Sequence, residues 1–416
     1  MHRHCPGDGD VEPGGSRKTS LAYDVVAATS EKLRVAVVCP GAARIPRGYE
    51  TFAAELYRTL SDRSDVDVVL LADSKRTSRG HQRVPSLRRE WRVTRLIGRA
   101  TRLHAHTIEH LTFGLTSLLW LATTRPDVII VSERPVAAVY RRVRDFLRGR
   151  WAIVVSNGSS WMPPYGSIDV VQQLTEPFYA DALAAGASAS QTRLVPLGFE
   201  LSNSAQPVDP QEARQQLGLD EGAHIVLTVG SLDRSVKRID WIAREVATLP
   251  DVELLAVGAH HPETEDLLAE LGRLLPGRFH TMTVPPDQVH LAYAAADVFV
   301  LASQRESFGR VIIEALDSGV PTIVHNSPSI AWVAGPEATV IDMSAEGALA
   351  EAIARAITSG RSSGSERRRR SARERFDWAS LVDDYVAMFV AAREGRTAAR
   401  GRQSANGPQN AGSPQQ

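Results

Sequence analysis

Residues 303–321 read SQRESFGRVIIEALDSGVP and decide the fold. The apolar run before this stretch ends at Ala302 and is typical of a buried strand, whereas the pattern from Phe308 onward is typical of an amphipathic helix. Directly after Gly319-Val320-Pro321 the β-branched pattern of a strand resumes. A strand, a short polar turn and a helix in this order predict one unit of an α/β fold with a parallel sheet.

The polar turn is suited to an anionic or hydroxyl-rich ligand. At the predicted helix start three N–H groups are expected to be unpaired and aimed at a cleft, those of Ser307, Phe308 and Gly309. Glu306 lies just before the helix and Glu314 about one turn into it, so both carboxylates can accept hydrogen bonds from one extended ligand. In a simpler interpretation Glu306 only stabilises the helix start, and Glu314 pairs with Arg310 at i,i+4 spacing.

The same alternation extends over the rest of the chain. The predicted strands are Leu33–Cys39, Val66–Ala72, Val128–Val131, Ala152–Ser156, Ile225–Val229, Val252–Val257, Phe279–Val284, Val298–Ala302 and Thr322–His325. The predicted helices include Tyr49–Leu60, Val136–Leu147, Ile239–Thr248, Thr264–Leu274, Val311–Ser318 and Leu381–Ala392. Two such series, joined near Pro207–Pro210, predict two Rossmann-like parallel-sheet domains that face each other across a cleft.

The domain boundaries follow from these two series. We predict a first domain over residues 31–203 and a second over residues 204–377, with a last helix at about 378–392 that packs back on the first domain. Residues 1–30 and 395–416 are rich in small and polar residues. Both ends are predicted to be disordered, because they hold too little apolar surface to bury.

Composition, charge and cysteine content exclude several classes of protein. With 43% hydrophobic and 23% charged residues the chain has an ordinary globular composition, and its net charge of zero argues against a general nucleic-acid binder. The two cysteines, Cys5 and Cys39, are too few for a disulfide framework or a zinc site. The apolar stretch Phe113–Ala122 is about half of the ~20 residues that span a bilayer. A cytoplasmic protein is predicted.

A second polar loop, GSLDRSVKR at 230–238, follows the predicted strand Ile225–Val229. A bound diphosphate requires fixed cations nearby, and Lys237 and Arg234 offer them. In the simpler interpretation Lys237 and Arg238 only form a solvated helix start, although cations are disfavoured at that end of a helix.

Together the two loops resemble the motifs of the family 4 retaining glycosyltransferases, which have the GT-B fold. The resemblance covers nearly all of residues 33–392 and is closest in the second domain. It implies that Glu306 lies beside the donor sugar and the diphosphate, that Glu314 holds the ribose hydroxyls and that Lys237 contacts the diphosphate. The implied catalytic residues are Glu306 and Lys237. The implied donor-binding residues are Gly230, Arg234, Lys237, Val284, Glu306, Ser307, Phe308, Gly309 and Glu314.

The chain also departs from the family pattern. The family arginine six residues before the lysine is replaced by Ser231, and Arg234 is the candidate substitute. The loop PGAARIPRGYE at 40–50 resembles the family's glycine loop, which implies a close approach to phosphate or acceptor at Gly48. The family histidine near the reacting sugar is absent from loop 156–165, where Asn157 is the candidate polar group. The spacing of His104, His106 and His110 predicts an exposed helix face without a metal site.

The resulting prediction is a metal-independent glycosyltransferase. It moves a sugar from a UDP- or GDP-sugar to an unidentified acceptor, with the retention of configuration that the family implies, and needs no cofactor. A non-catalytic homologue that only binds sugar nucleotides is the alternative, favoured by Ser231 and the absent histidine. A nicotinamide-dependent oxidoreductase is disfavoured, because no Gly-x-Gly-x-x-Gly motif follows an early strand.

Residues 75–102 form a basic segment with ten Lys or Arg and one acid, Glu90. The segment also holds Trp91 and Leu96. A solvated arginine-rich face is the simpler interpretation, and peripheral contact with an anionic membrane is the alternative that basic residues beside apolar ones allow.

Overall fold

The computed structural model describes residues 31–42, 44, 48–74, 80–158, 161–201, 208–259 and 264–405. The predicted disordered segment 1–30, the predicted domain boundary at 203/204 and the end of the predicted tail, 406–416, lie outside these ranges.

The described part of the N-terminal half forms a seven-stranded sheet. Its strands are β1 Leu33–Val38, β2 Val66–Ala72, β3 His81–Arg83, β4 Val128–Val131, β5 Ala152–Asn157, β6 Val170–Gln173 and β7 Thr192–Leu194. The strand order is β3-β2-β1-β4-β5-β6-β7, and all neighbours are parallel. The chain adds β2 and β3 on one side of β1 and then adds β4 to β7 on the other side. The switch point therefore lies between β1 and β4, where a crevice is expected at the carboxyl ends.

The described part of the C-terminal half forms a six-stranded parallel sheet. Its strands are β8 His224–Val229, β9 Val252–Val257, β10 Phe279–Met282, β11 Val298–Leu301, β12 Thr322–His325 and β13 Thr339–Ile341. The order is β10-β9-β8-β11-β12-β13, so the switch point lies between β8 and β11. All residues of β4, β11 and β12 are buried, and β4 and β11 are accordingly continuous apolar runs.

Helices cover both sheets and account for the amphipathic stretches. In the first half they are α1 Gly48–Ser61, α2 Arg92–Thr101, α3 Ala105–Thr124, α4 Arg134–Leu147 and α5 Glu176–Ala184. In the second half they are α6 Pro210–Leu217, α7 Ile239–Ala247, α8 Glu265–Leu274, α9 Val289–Ala295, α10 Arg310–Asp317, α11 Pro328–Ala334, α12 Ala348–Ser359, α13 Ser365–Phe376 and α14 Trp378–Ala405. The predicted fold class, two Rossmann-like parallel sheets, is confirmed.

The last helix, α14, packs on the first sheet. The Tyr385 hydroxyl donates to the Pro196 carbonyl at 2.7 Å, and Gln172 donates to the same hydroxyl at 2.8 Å. The predicted disordered tail from residue 395 is wrong for residues 395–405, which continue this helix. The buried Arg396 explains the difference, because its guanidinium donates to the Gly149 carbonyl at 3.0 Å and anchors the added turns.

Candidate active site

Two loops from neighbouring strands meet at the switch point of the second sheet. β8 ends at Val229 and β11 ends at Leu301, and the two strands are paired. Loops 230–238 and 302–309 therefore leave the same edge of the sheet side by side. In an open parallel sheet this edge is where ligands bind.

Lys237 and Glu306 form an ion pair between these loops. The Lys237 Nζ lies 2.5 Å from the Glu306 Oε2, and the two side chains are only 13% and 20% exposed. Both side chains are charged and partly buried, so the opposite charge of each offsets the free-energy cost of desolvating the other. The structure thus brings together the two residues that the sequence singled out as catalytic.

A carboxylate that sequence reasoning missed, Asp233, organises the lysine loop. Its side chain accepts hydrogen bonds from the Ser231 hydroxyl at 2.5 Å and from the Lys237 backbone N–H at 3.2 Å. Val236 N–H and the Ser235 hydroxyl donate to the same carboxylate. Burial alone raises the pKa of Asp233, but these hydrogen bonds outweigh it and hold the pKa below its usual value. An ionised Asp233 therefore fixes the backbone that carries Lys237.

Gly230 leaves room for the lysine side chain. Its φ is +145°, a conformation that L residues rarely adopt. A Cβ at this position would lie 2.8 Å from the Lys237 Cε. Glycine is therefore required here by both backbone and space.

The start of α10 offers backbone donors beside Glu306. Gly309 caps the helix with φ 75° and ψ 59°. Within the described ranges, no acceptor is found for the N–H groups of Ser307, Phe308 and Gly309. The Phe308 side chain points away from the ligand, since it packs between the rings of Phe199 and Phe376 in the core. Only the backbone of Phe308 is thus placed to serve a ligand.

Glu314 lies one turn into α10 and is half-buried. Its carboxylate accepts a hydrogen bond from the Tyr293 hydroxyl at 2.9 Å. Burial and the Glu314 charge raise the pKa of Tyr293 well above its usual value, so the phenol stays a donor. The predicted alternative partner, Arg310, instead reaches across to Glu55 on α1 at 3.4 Å and lies 4.1 Å from the Phe199 ring centroid.

The second half of the chain contains a match to a known protein family. Residues 209–375, which contain β8 to β13 and both loops, match the family described as Glycosyl transferases group 1. The match spans 167 of the 416 residues.

Curated relatives match this chain only in part. A D-inositol 3-phosphate glycosyltransferase of Geodermatophilus obscurus is 34% identical over 240 residues, which is 51% of this chain and 50% of the relative. An alpha-monoglucosyldiacylglycerol synthase of Streptococcus pneumoniae is 29% identical over 146 residues, 33% of each chain. The chain thus spans between a third and half of the length of these relatives.

Solved structures match over most of this chain. Sucrose-phosphate synthase from Thermosynechococcus elongatus has a TM-score of 0.68 at 19% identity, and covers 90% of this chain and 100% of that one. Anabaena Alr3699/HepE in complex with UDP and glucose has a TM-score of 0.63 at 16% identity, covering 89% and 100%. The similarity shows that this chain has the GT-B fold.

Two other predicted donor residues, and the predicted acceptor or phosphate loop residue Gly48, lie apart from the ion pair or have different partners. Arg234 is 46% exposed and pairs with Glu270 on α8 at 2.5 Å. The structure therefore does not bring Arg234 to Lys237 and Glu306, because a carboxylate on α8 already holds its guanidinium. Val284 is half-buried and follows the carboxyl end of β10, two strands from β8. Gly48 begins α1, and a Cβ there would lie 3.0 Å from the Arg310 Cδ, so its loop approaches the start of α10.

Asn157 has a structural role in the first sheet. Its amide nitrogen donates to the Trp161 carbonyl at 3.1 Å and to the Gln173 Oε1 at 2.9 Å. Its side-chain oxygen accepts from the Trp161 N–H at 2.8 Å. The side chain is buried, and its hydrogen bonds go to its own loop and to the neighbouring strand β6.

The predicted exposed face of three histidines is wrong for His110. This residue lies on α3, is buried, and its ring centroid is 3.9 Å from that of His106. Burial, with the adjacent His106, lowers the pKa of His110 to about 3. Helix α3 buries this side because its apolar face packs on α4. Among the described residues no group of three or more His, Cys, Asp or Glu is arranged to hold a metal ion.

Glu133 is a further residue that sequence reasoning missed. It precedes α4 at the carboxyl end of β4, at the switch point of the first sheet. Within the described ranges its Oε2 has no hydrogen-bond partner. Burial, with the nearby Glu50, raises the pKa of Glu133 to about 8. Its position directly after a fully apolar strand was the signal that could have identified it.

Folding stability is expected to fall as the pH rises because of Glu133. The folded-state pKa of about 8 exceeds the ordinary value of 4.5, so the folded state binds the proton more tightly. The contribution of protonated Glu133 to the free energy of unfolding is fully present below about pH 4.5 and is lost as the pH rises through about 8. Between these values the Tm of the wild type should fall by a few degrees more than that of Glu133→Gln. Parallel Tm profiles, with the exposed Glu394→Gln as control, would contradict the assignment.

Proposed function

We propose that this chain transfers a sugar from a nucleotide diphosphate donor to an acceptor held by the first sheet. The observation that carries the proposal is the 2.5 Å contact of Lys237 with Glu306, on adjacent loops at the carboxyl edge of the second sheet. The match of residues 209–375 to the family described as Glycosyl transferases group 1 supports it.

The donor would lie along this edge. Lys237 and the amides of residues 307–309 would hold the diphosphate, because a cation and unpaired N–H groups both favour an anion. Glu306 would accept hydrogen bonds from the donor sugar, and Glu314 from the ribose hydroxyls, with the base near Val284. On binding of the donor, the Lys237 ammonium would pair with the diphosphate in place of Glu306.

Charge development explains how these residues would promote transfer. When the bond between sugar and diphosphate breaks, negative charge grows on the leaving phosphate. A preorganised ammonium and backbone N–H groups stabilise that charge without reorganisation. We propose that Lys237 fills this role without a metal ion, and that configuration is retained as in the resembled family.

Donor and acceptor classes follow from the named relatives. HepE has been solved with UDP and glucose, which makes a UDP-sugar the first donor to test. The curated relatives are named for inositol phosphate and for glucosyldiacylglycerol, so a phosphorylated polyol or a lipid is the acceptor class to test.

A product assay tests the function directly. Purified protein is incubated with UDP-, GDP- and ADP-sugars, with and without acceptors of both classes, and release of the nucleoside diphosphate is measured. The proposal predicts release from at least one donor. Tight binding without any release would favour the alternative, a non-catalytic homologue that binds sugar nucleotides.

We further propose that the protein works at an anionic membrane surface, from the cytoplasmic side. Helix α2 exposes basic residues together with apolar ones, among them Trp91 before the helix at 46% and Leu96 at 66% exposure. Residues 75–79 of the basic segment lie outside the described residues. Within the described ranges no helix is both long and apolar enough to cross a membrane.

Vesicle sedimentation measures this contact. The protein should bind phosphatidylglycerol vesicles and not phosphatidylcholine vesicles, because each basic residue near an anionic surface contributes about 1 kcal/mol. Arg95→Glu/Arg99→Glu reverses two exposed charges of α2 and should weaken binding more than tenfold. Equal binding to both kinds of vesicle would contradict the proposal.

A further inference from the structure

A cavity of about 420 Å³ lies beside α4 in the first half of the chain, and the ion pair of Lys237 and Glu306 does not line it. Its lining includes Arg134, Ala138, Arg141, Trp161, Tyr165 and Gly166. One wall is α4, which follows β4, and the other is the loop that follows β5. Both walls thus start from carboxyl ends of adjacent parallel strands, where open sheets bind ligands.

The aromatic wall of the cavity is held in place by buried polar groups. Asn157 hydrogen bonds to both the N–H and the carbonyl of Trp161. The Tyr165 hydroxyl donates to the Trp161 carbonyl at 3.2 Å and accepts from Gln173 at 3.0 Å. The rings of Trp161 and Tyr165 meet edge to face with centroids 5.1 Å apart. A wall fixed in this way is preorganised for a ligand, because little side-chain freedom remains to be lost on binding.

Two arginines supply positive charge to the same cavity. The Arg134 guanidinium lies 5.6 Å from the Trp161 ring centroid. Arg141 is half-buried, and in the described part of the chain it has neither a hydrogen bond nor an ion pair. Gly166 keeps the space beside it open, since a Cβ there would stand 3.4 Å from the Arg141 Nη1. A partly desolvated guanidinium with no acidic partner is suited to a phosphate or carboxylate group.

We propose that this cavity binds an anionic ring compound, a sugar or cyclic polyol that carries a phosphate or carboxylate. The ring packs against the Trp161 and Tyr165 wall, and the anionic group accepts hydrogen bonds from Arg141 and Arg134. The site forms part of the acceptor side, an assignment that rests on the proposed transferase function. Binding of the ring anion itself does not depend on that function.

Calorimetric titration of the full chain tests the cavity with defined probes. These are glucose 6-phosphate, glucuronate, glucose and inorganic phosphate. At least one of the two ring anions should bind at least about tenfold more tightly than glucose or phosphate alone, since the ring and the anion each contribute. Preference between glucose 6-phosphate and glucuronate identifies the anionic group.

Variants assign the binding to the cavity. Arg141→Ala should weaken binding of the ring anion by roughly tenfold to a hundredfold, because a hydrogen-bonded charge is lost. Trp161→Leu should weaken it with the protein still folded, as judged by its Tm. Arg142→Ala, an exposed neighbour on the same helix, should bind as the wild type does. Equal affinity of Arg141→Ala and wild type, or no binding of either ring anion to the wild type, would overturn the proposal.

Titration with UDP-glucose separates this proposal from the transferase function. Arg141→Ala should bind the nucleotide sugar as the wild type does. If no nucleotide sugar binds while a ring anion binds in an Arg141-dependent way, the transferase function fails and the cavity stands. The reverse result, donor turnover without ring-anion binding, would contradict only the proposal that the cavity binds a ring anion.

Discussion

Replacing Lys237 by alanine is expected to lower kcat/KM for sugar transfer by about a hundredfold to a thousandfold. The lysine ammonium is the one cation that the structure places against Glu306 among the described residues, at 2.5 Å. Its loss removes a preorganised donor where negative charge grows on the leaving diphosphate. Lys237→Arg should restore part of the activity, because charge returns while the position of the donor shifts.

Steady-state kinetics with a matched control distinguish this effect from general damage. Arg244→Ala removes an exposed cation on α7 that pairs with Asp240, and its kcat/KM should stay within about threefold of the wild type. Near-normal turnover by a folded Lys237→Ala protein would remove the lysine from the mechanism.

The second large effect is expected at Glu306. Glu306→Gln should lower kcat by about a hundredfold, because the carboxylate that faces both the ammonium and the sugar becomes neutral. The Lys237→Ala/Glu306→Gln double variant should be hardly slower than either single variant, since residues that act as one unit have non-additive effects. Additive losses in kcat would show that the two residues act separately.

The central strands could be predicted closely from the sequence. The observed bounds of β2, β4, β9 and β12 equal the predicted ones, because each strand contains a run of apolar residues, many of them β-branched. The edge strands β3, β7 and β13, which have three residues each, were missed, and so was the fully buried β6. Such strands depend on pairing with a neighbour, and their own residues carry no periodic signal.

The candidate site was predictable where the loop positions follow from the strand order. Lys237 and Glu306 were identified from two loops, and the pairing of β8 with β11 brings those loops together. Partners of long side chains could not be foreseen in this way. Arg310 has Glu314 one turn away but reaches Glu55 on α1, because the two halves of the chain meet there.

Other residues escaped prediction because their surroundings come from distant parts of the chain. Arg234 is occupied by Glu270, which lies 36 residues further on. Asn157 was predicted to face a sugar, and its bond to Gln173 depends on the pairing of β5 with β6. For Arg234 and Asn157 the residue type indicated a polar contact, but the sequence did not show which partner the side chain reaches.

Thermal denaturation with a panel of UDP-, GDP- and ADP-sugars tests the shared donor site of Lys237 and Glu306 most directly. A ligand at a hundredfold excess over its Kd stabilises the folded state by about 2.7 kcal/mol, which is a readily measured rise in Tm. At least one nucleotide sugar should raise the Tm of the wild type and of Arg244→Ala. The same compound should raise the Tm of Lys237→Ala much less, because the ammonium that would hold the diphosphate is lost. A nucleotide sugar that stabilises Lys237→Ala as much as the wild type and Arg244→Ala would contradict a donor site built on Lys237.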